Sequence, residues 1–250
     1  MTADPQVSVL IPALDEADRI EACLHRLARD FPACELVVAD GGSTDGTAEL
    51  ALRWAKVVET GGGRGPQLNA AAEAAAGQTL WVHHVDTVTE SAALPQLLRE
   101  LRRPGVVGGG LTLRFDRRSP GLSYLAWTSN LRARRLGWIF GDQTMFVRRD
   151  ALEAVGGFPD LPLMEDLEVC RRLRRVGELV VIPAMSTASS RRFDVHGTWP
   201  MVAFMQYLKV RHLCGADPAE TARRYRAGPG HWDSWRPGHR SSTLASAQRP

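Results

Sequence analysis

The stretch Leu80-Trp81-Val82-His83-His84-Val85-Asp86-Thr87 ends an apolar run in two histidines and an aspartate. All three can titrate or ligate a metal, so this is a place where the chain could do chemistry. If the run is a strand, alternation puts His84 and Asp86 on one face and His83 on the other. His83 is then expected inside, hydrogen-bonded and neutral. A second candidate is the pair Glu165-Asp166, which precedes the helical spacing Leu167, Cys170, Leu173 and Val176. Acids at that position can complement a helix start or accept a proton from a substrate hydroxyl. Asp40 closes another apolar run before Gly41-Gly42-Ser43-Thr44-Asp45-Gly46-Thr47, and Arg64 lies within Gly61-Gly62-Gly63-Arg64-Gly65. A carboxylate only accepts hydrogen bonds, and a planar guanidinium suits phosphate oxygens.

These residues need elements to hold them. A short β-branched run at 7–11 predicts a strand stopped by Pro12. Ile20, Leu24, Leu27 and Ala28 follow at helical spacing, with Asp15 and Asp18 suited to the helix start. Residues 35–39 and 56–59 read as further strands, with a helix at 48–54 between them. After the glycine-rich loop, Pro66 suits a first helical position, and the alanine-rich helix is expected to stop at Gly77. A fourth strand spans roughly 79–85. This β-α-β-α-β-α-β order predicts a parallel sheet covered by helices, with ligands beyond the carboxyl ends of the strands. Asp15, Glu16, Asp40, Arg64 and Asp86 all follow such ends. One loop acid is ordinarily a cap or a solvated turn; charged groups at four successive ends favour a site.

The second half predicts a strand at 106–115, an amphipathic basic helix at 123–138 and a strand at 144–149. A loop and helix follow to 177, then a strand at 179–184 and an aromatic, Met-rich helix at 198–214. The composition from about Ala227, rich in Gly, Pro, Ser and Arg, predicts a disordered tail. The expected organisation is one domain over 1–225, with halves at 7–88 and 105–215, and a tail at 226–250.

The bulk numbers are those of an ordinary globular chain, with 44% hydrophobic and 24% charged residues among 250. A net charge of +3 gives no reason to expect nucleic acid as a partner. Cys23, Cys34, Cys170 and Cys214 form no C-x-x-C pair, which suits reduced thiols in the cytoplasm. The first residues lack a signal-peptide pattern, and no apolar run approaches the ~18 residues of a membrane span. Arg132, Arg134, Arg135, the arginines of 171–175 and the aromatic segment 199–207 read as a solvated basic face and a core helix. Peripheral contact with the inner membrane face is the alternative.

Residues 7–20 together with Glu35-Leu36-Val37-Val38-Ala39-Asp40 and the following Gly-Gly-Ser-Thr-Asp-Gly-Thr resemble the nucleotide-binding half of GT-A glycosyltransferases of family 2. The family motif Pro-x-x-Asn-Glu appears as Pro12-Ala13-Leu14-Asp15-Glu16, and Asp-Gly-Ser-x-Asp-x-Thr appears at Asp40–Thr47 with one extra glycine. The resemblance implies an α/β GT-A fold with a mostly parallel sheet. It implies that Pro12, Ala13, Glu16 and Asp40 line the nucleotide, that Asp40 accepts from the base, and that Arg64 meets the diphosphate. His84-Val85-Asp86 stands where the family carries Asp-x-Asp. Asp86 is then the ligand of a divalent cation, Mg²⁺ or Mn²⁺. His84 is a further ligand, a phosphate or ribose contact, or a group that orients Asp86.

By the same resemblance Asp166 is the general base, with Glu165 as its substitute, and Asp142 and Gln143 contact the acceptor or the donor sugar. Ser189-Ser190-Arg191-Arg192-Phe193 sits where processive members carry Gln-x-x-Arg-Trp. That motif is absent, although Arg191 or Arg192 could pair with the diphosphate. The resemblance covers about 7–215 and points to a compact bacterial subgroup often labelled arsenosugar-biosynthesis or carotenoid-acid glycosyltransferases. The implied activity is metal-assisted, inverting transfer from a nucleotide-diphosphate sugar, with UDP as the nucleotide, to the hydroxyl of a small-molecule or lipid-linked acceptor. The alternatives are a nucleotide-sugar sensor or inactive paralogue, and a sugar-nucleotide pyrophosphorylase. The last would carry an Arg-containing Gly-rich loop after the first strand, and a dehydrogenase would carry G-x-G-x-x-G there.

Overall fold

The structure, a computed structural model, describes residues 6–229. The chain begins β1 (Val7–Ala13), α1 (Ala17–Asp30), β2 (Glu35–Asp40), α2 (Thr47–Ala51), β3 (Lys56–Glu59), α3 (Arg64–Ala74) and β4 (Thr79–Val82). It continues through β5 (Val88–Thr89), α4 (Ala93–Leu101), β6 (Val106–Phe115), α5 (Pro120–Leu136), β7 (Phe146–Arg148), α6 (Arg149–Ala154), α7 (Glu165–Leu173) and β8 (Glu178–Ala188). Then come α8 (Arg191–His196), α9 (Thr198–Leu213) and α10 (Pro218–Ala227). The described residues form two compact units, one ending at Arg192 and one starting at Phe193, a boundary that composition did not mark. Most of the tail expected from 226 onward lies outside the described residues.

The first unit is built on an eight-stranded sheet of order β3-β2-β1-β4-β7-β6-β8-β5. β1 pairs in parallel with β2 and β4, and β2 with β3, as the β-α alternation predicts. β7 then runs antiparallel to both neighbours, β4 and β6, while β8 is parallel to β6 and β5 antiparallel to β8. This reversal positions the site. Because β7 runs against β4, the segment entering β7 meets the carboxyl end of β4, where the Val82 amide donates to the Met145 carbonyl.

Apolar side chains cover both faces. Ile20, Cys23, Leu24 and Leu27 bury one stripe of α1 at helical spacing, on the side that holds Val9, Ile11 and Leu97. Trp81, fully buried, packs edge-on against Phe31 at 5.0 Å. The other side joins Leu68 and Ala71 of α3 to Leu10, Leu80, Val169 and Leu173.

Several boundaries depart from the sequence expectations. β1 runs through Pro12 to Ala13. Its partner β4 pairs only as far as Leu10, so from there β1 has one neighbour and a residue without N–H is tolerated. α2 stops at Ala51, short of 54. β4 stops at Val82 rather than 85; the His83 amide still donates to the Leu10 carbonyl, and the chain then turns. α3 starts at Arg64 and ends at Ala74, so Arg64 occupies the first helical turn rather than a loop, and Gly77 lies beyond the helix. β5 and α4 are additional to the elements expected from the sequence.

Candidate functional site

The loops after β1 and β2 lock into one another. The Asp15 amide donates to Ser43 Oγ, the Thr44 amide to Asp15 Oδ1, and the Ala17 amide to Asp45 Oδ2. Asp45, from a distant loop, therefore serves the first turn of α1 that Asp15 and Asp18 were expected to cap. Asp40 is buried, and its carboxylate accepts from the Gly42 and Ser43 amides and from Ser43 Oγ. It thus builds its own turn. Glu16, half-buried, pairs with Arg19 at 2.7 Å. Pro12 and Ala13 are the last residues of β1, and Gln67 of α3 reaches under them to the Ala13 and Ala39 carbonyls at 2.8 and 3.2 Å.

A cavity lies past the end of β4. Arg64, His84, Gly141, Glu165 and Asp166 supply its polar wall, and Leu68, Val82, Met145 and Phe158 its apolar wall. Arg64 and Glu165, 101 residues apart, pair at 3.3 Å. Glu165 is only 3% exposed, while Arg64 keeps about half its side chain in solvent, 47%. Asp166 Oδ2 accepts from the Gly141 amide at 3.1 Å, and Oδ1 from the Leu167 amide at 2.7 Å. Burial, reinforced by the neighbouring Glu165 charge, pushes the Asp166 carboxyl up to about 7 against the opposing pull of Arg64. Two non-glycine residues close in sequence to these groups have left-handed backbone: Met164 (φ 69°), just before Glu165, and Thr144 (φ 40°), just after the 141–143 turn. Such strain is held in place only where packing enforces it.

His84 faces the same cavity. A Cβ on Gly141 would lie 2.2 Å from His84 Cε1, so only glycine lets the 141–143 turn approach the ring this closely. His84 Nε2 is buried and has no hydrogen-bond partner among the described residues. Burial, then the Arg64 charge, hold the ring neutral. His83 is buried on the other side, with Nε2 3.0 Å from Thr89 Oγ1, and burial lowers it to about 4. Asp86 is exposed in the turn after β4 and does not line the cavity. Among the described residues no cluster of three or more His, Cys, Asp or Glu could hold a metal.

Gln143 is fully buried and structural in its bonds: it accepts from Arg132 at 3.0 Å and donates to the Leu111 carbonyl at 3.3 Å. Asp142 is half-buried, and its carbonyl accepts from Ser186 Oγ. Arg191 is exposed, with Nε on Ser189 Oγ, and Arg192 falls within α8.

Arg132 corrects the reading of a basic surface. Its guanidinium donates to the Trp138 carbonyl at 3.1 Å and to Gln143, and it stacks 4.1 Å from the Phe140 ring. It therefore braces the turn that carries the Gly141 amide to Asp166. Helical phase held the signal: position 132 lies three residues after Ser129 and seven after Leu125, both on the buried stripe of α5. Among the arginines of 171–175, Arg171, Arg174 and Arg175 are exposed, as a solvated face predicts. Arg171 and Arg172 pair with Glu168, and Arg174 donates to the Leu136 carbonyl.

This architecture is shared with known proteins. The chain is similar to the Pyrobaculum calidifontis mannosyltransferase PcManGT in complex with GDP-Man and Mn²⁺, with TM-score 0.65 and 21% identity over 88% of this chain and 67% of that one. It is similar to glucosyl-3-phosphoglycerate synthase of Mycobacterium tuberculosis, with TM-score 0.62 and 21% identity over 86% and 82%. In sequence, 49 residues are 47% identical to the succinoglycan biosynthesis protein ExoA of Rhizobium meliloti (strain 1021). That match spans 19% of this chain and only 15% of the relative. The family model "Glycosyl transferase family 2" matches residues 8–156, more than half of the chain, which therefore belongs to that family.

Proposed function

We propose that this glycosyltransferase moves a sugar from a nucleotide-diphosphate donor, with UDP as the nucleotide, to an acceptor hydroxyl with inversion, and that Asp166 is the general base. The observation that carries the reading is the Asp166 carboxyl, held at the cavity by the Gly141 amide with its proton affinity raised toward neutrality. A base titrating near the working pH can take a hydroxyl proton as attack develops. The acceptor oxygen forms its bond to the anomeric carbon while its proton passes to Asp166. The bond from that carbon to the diphosphate oxygen breaks with its electron pair leaving on the diphosphate. With one displacement and no covalent intermediate, the anomeric centre inverts. Glu165, paired with Arg64, is the less suited acceptor of that proton.

Arg64 stands at the first turn of α3 with half its side chain in water, where it can turn toward the diphosphate. Asp40 and Ser43 shape the turn assigned to the base, and Glu16 borders it. Asp142 is proposed at the acceptor or the donor sugar, and Arg191 or Arg192 at the diphosphate; Gln143 supports the turn from within. Mn²⁺ accompanies a nucleotide or nucleotide sugar in both neighbouring structures. The residue proposed to hold a divalent ion is Asp86, one exposed carboxylate in the turn after β4, with water and phosphate oxygens to complete the shell. The buried Nε2 makes His84 a group of the cavity rather than the better ligand. When bound, the ion would neutralise charge on the departing diphosphate.

The test is a thermal-shift and transfer panel of UDP-, GDP- and dTDP-sugars with Mg²⁺ or Mn²⁺, on wild type and Asp166→Asn. The variant should bind the UDP-sugar as wild type does and lose transfer by roughly 10²-fold or more. Unchanged turnover removes Asp166 from the mechanism. Donor binding by wild type with neither transfer nor hydrolysis supports the sensor reading instead.

A further inference from the structure

We propose that the exposed face of α5 is a docking surface for an anionic lipid membrane. Tyr124, Trp127 and Leu131 recur at helical spacing on this face and are 47%, 61% and 40% exposed. The two rings lie side by side, 6.3 Å apart. Leu122, Leu125, Ser129 and Ala133 are buried on the opposite side, so the outward residues are surplus to the core. The charge pattern chooses the partner. Arg118 precedes the helix, Arg134 and Arg135 occupy its last turn, all three exposed, and no acidic residue occurs from 117 to 141.

Seventeen residues of helix extend about 25 Å. Its aromatic rings suit the headgroup level of a bilayer, and arginines at both ends suit lipid phosphates. No helix among the described residues is long and apolar enough to cross a membrane, so this one would lie on the surface. The inward side of the same helix carries Arg132, which braces the turn next to Asp166. A docked α5 would therefore hold the cavity in a set orientation to the lipid. The proposal stands whether or not the chain transfers a sugar.

The experiment floats the full chain with vesicles of phosphatidylcholine alone or with added phosphatidylglycerol. Wild type should float only with the anionic vesicles. Tyr124→Ser/Trp127→Ser/Leu131→Ser and Arg134→Glu/Arg135→Glu should each cut the bound fraction by roughly tenfold or more. Their donor thermal shift should match wild type, which separates this result from misfolding and from the proposed transfer. As a second measurement, a headgroup-level lipid quencher should dim wild-type fluorescence more than that of Trp127→Phe. Absence of flotation with anionic vesicles, or flotation unchanged in both multiple variants, overturns the proposal. A dimer in sedimentation equilibrium that the triple variant abolishes, without vesicle binding by wild type, overturns it in favour of a second copy of the chain.

Discussion

Asp166 owes its acid–base chemistry to its surroundings. Its carboxyl rises from 3.8 to about 7, chiefly through burial and then through the Glu165 charge. Transfer that needs the ionised base should therefore gain rate as pH rises to about 7 and then level off, read as kcat against pH. Stability should run the other way. Between those two values the folded protein holds a proton that the unfolded chain releases, so stability falls as pH rises through the window. Melting temperatures of wild type should drop relative to Asp166→Asn from pH 5 to pH 8; parallel curves would contradict the assignment. Arg64 adds a second residue-scale prediction. Arg64→Met leaves Glu165 buried beside Asp166 without its cation and should cost about 1–2 kcal/mol in urea unfolding, less than a fully buried pair because Arg64 is half in solvent. Arg64→Met/Glu165→Gln should recover most of that loss.

Among the elements, α3 and the 141–143 turn do the positioning. α3 closes on the loop before α7 so tightly that a Cβ on Gly65 would lie 2.2 Å from the Pro159 carbonyl oxygen. Backbone cannot yield as a flexible side chain can, so Gly65→Ala should destabilise by about 1–3 kcal/mol and move Arg64. The result is read as a lower melting temperature with weaker donor binding. Gly141→Ala meets the His84 ring instead. That substitution should lower kcat more than it lowers donor affinity, because the turn displaced carries the amide bonded to Asp166. The helix signals themselves were legible: of the four positions that mark α1 in the sequence, Ile20, Leu24 and Leu27 are buried, and Ala28 is partly so. Its start was less so, since Asp45, 28 residues away, supplies the carboxylate for the Ala17 amide.

For the molecule as a whole, the parallel part and the antiparallel insertion must stay in register. Arg149, just after β7, donates to the carbonyls of Ala72, Ala75 and Gly77 at 2.8, 2.6 and 3.0 Å, tying α6 to the end of α3. Arg149→Ala leaves those carbonyls without their cation and should cost about 2 kcal/mol in chemical unfolding. Trp81 is the matching apolar anchor. Its truncation to Ala should cost about 3–5 kcal/mol, as expected for a fully buried aromatic residue. A loss near zero at either position would mean that the sheet does not depend on these ties.

The order of strands and helices through β4, the buried stripe of α1 and the charge of Asp40 at the end of β2 were readable from the chain alone; α4 and β5 were not. Periods of two and 3.6 residues are local properties, and the first four strands follow them into parallel pairs. The antiparallel insertion of β7 was not readable, because it depends on pairing between Trp81 and Phe146, far apart in sequence. Only that pairing brings Gly141 to His84 and Asp166, and only tertiary packing joins Arg64 to Glu165. The same holds for charge. Sequence named Asp166 as an acid and Arg132 as a base; burial decided that one carboxyl titrates near neutrality and that one guanidinium points inward. Desolvation depends on every neighbour at once, and those neighbours come from distant segments.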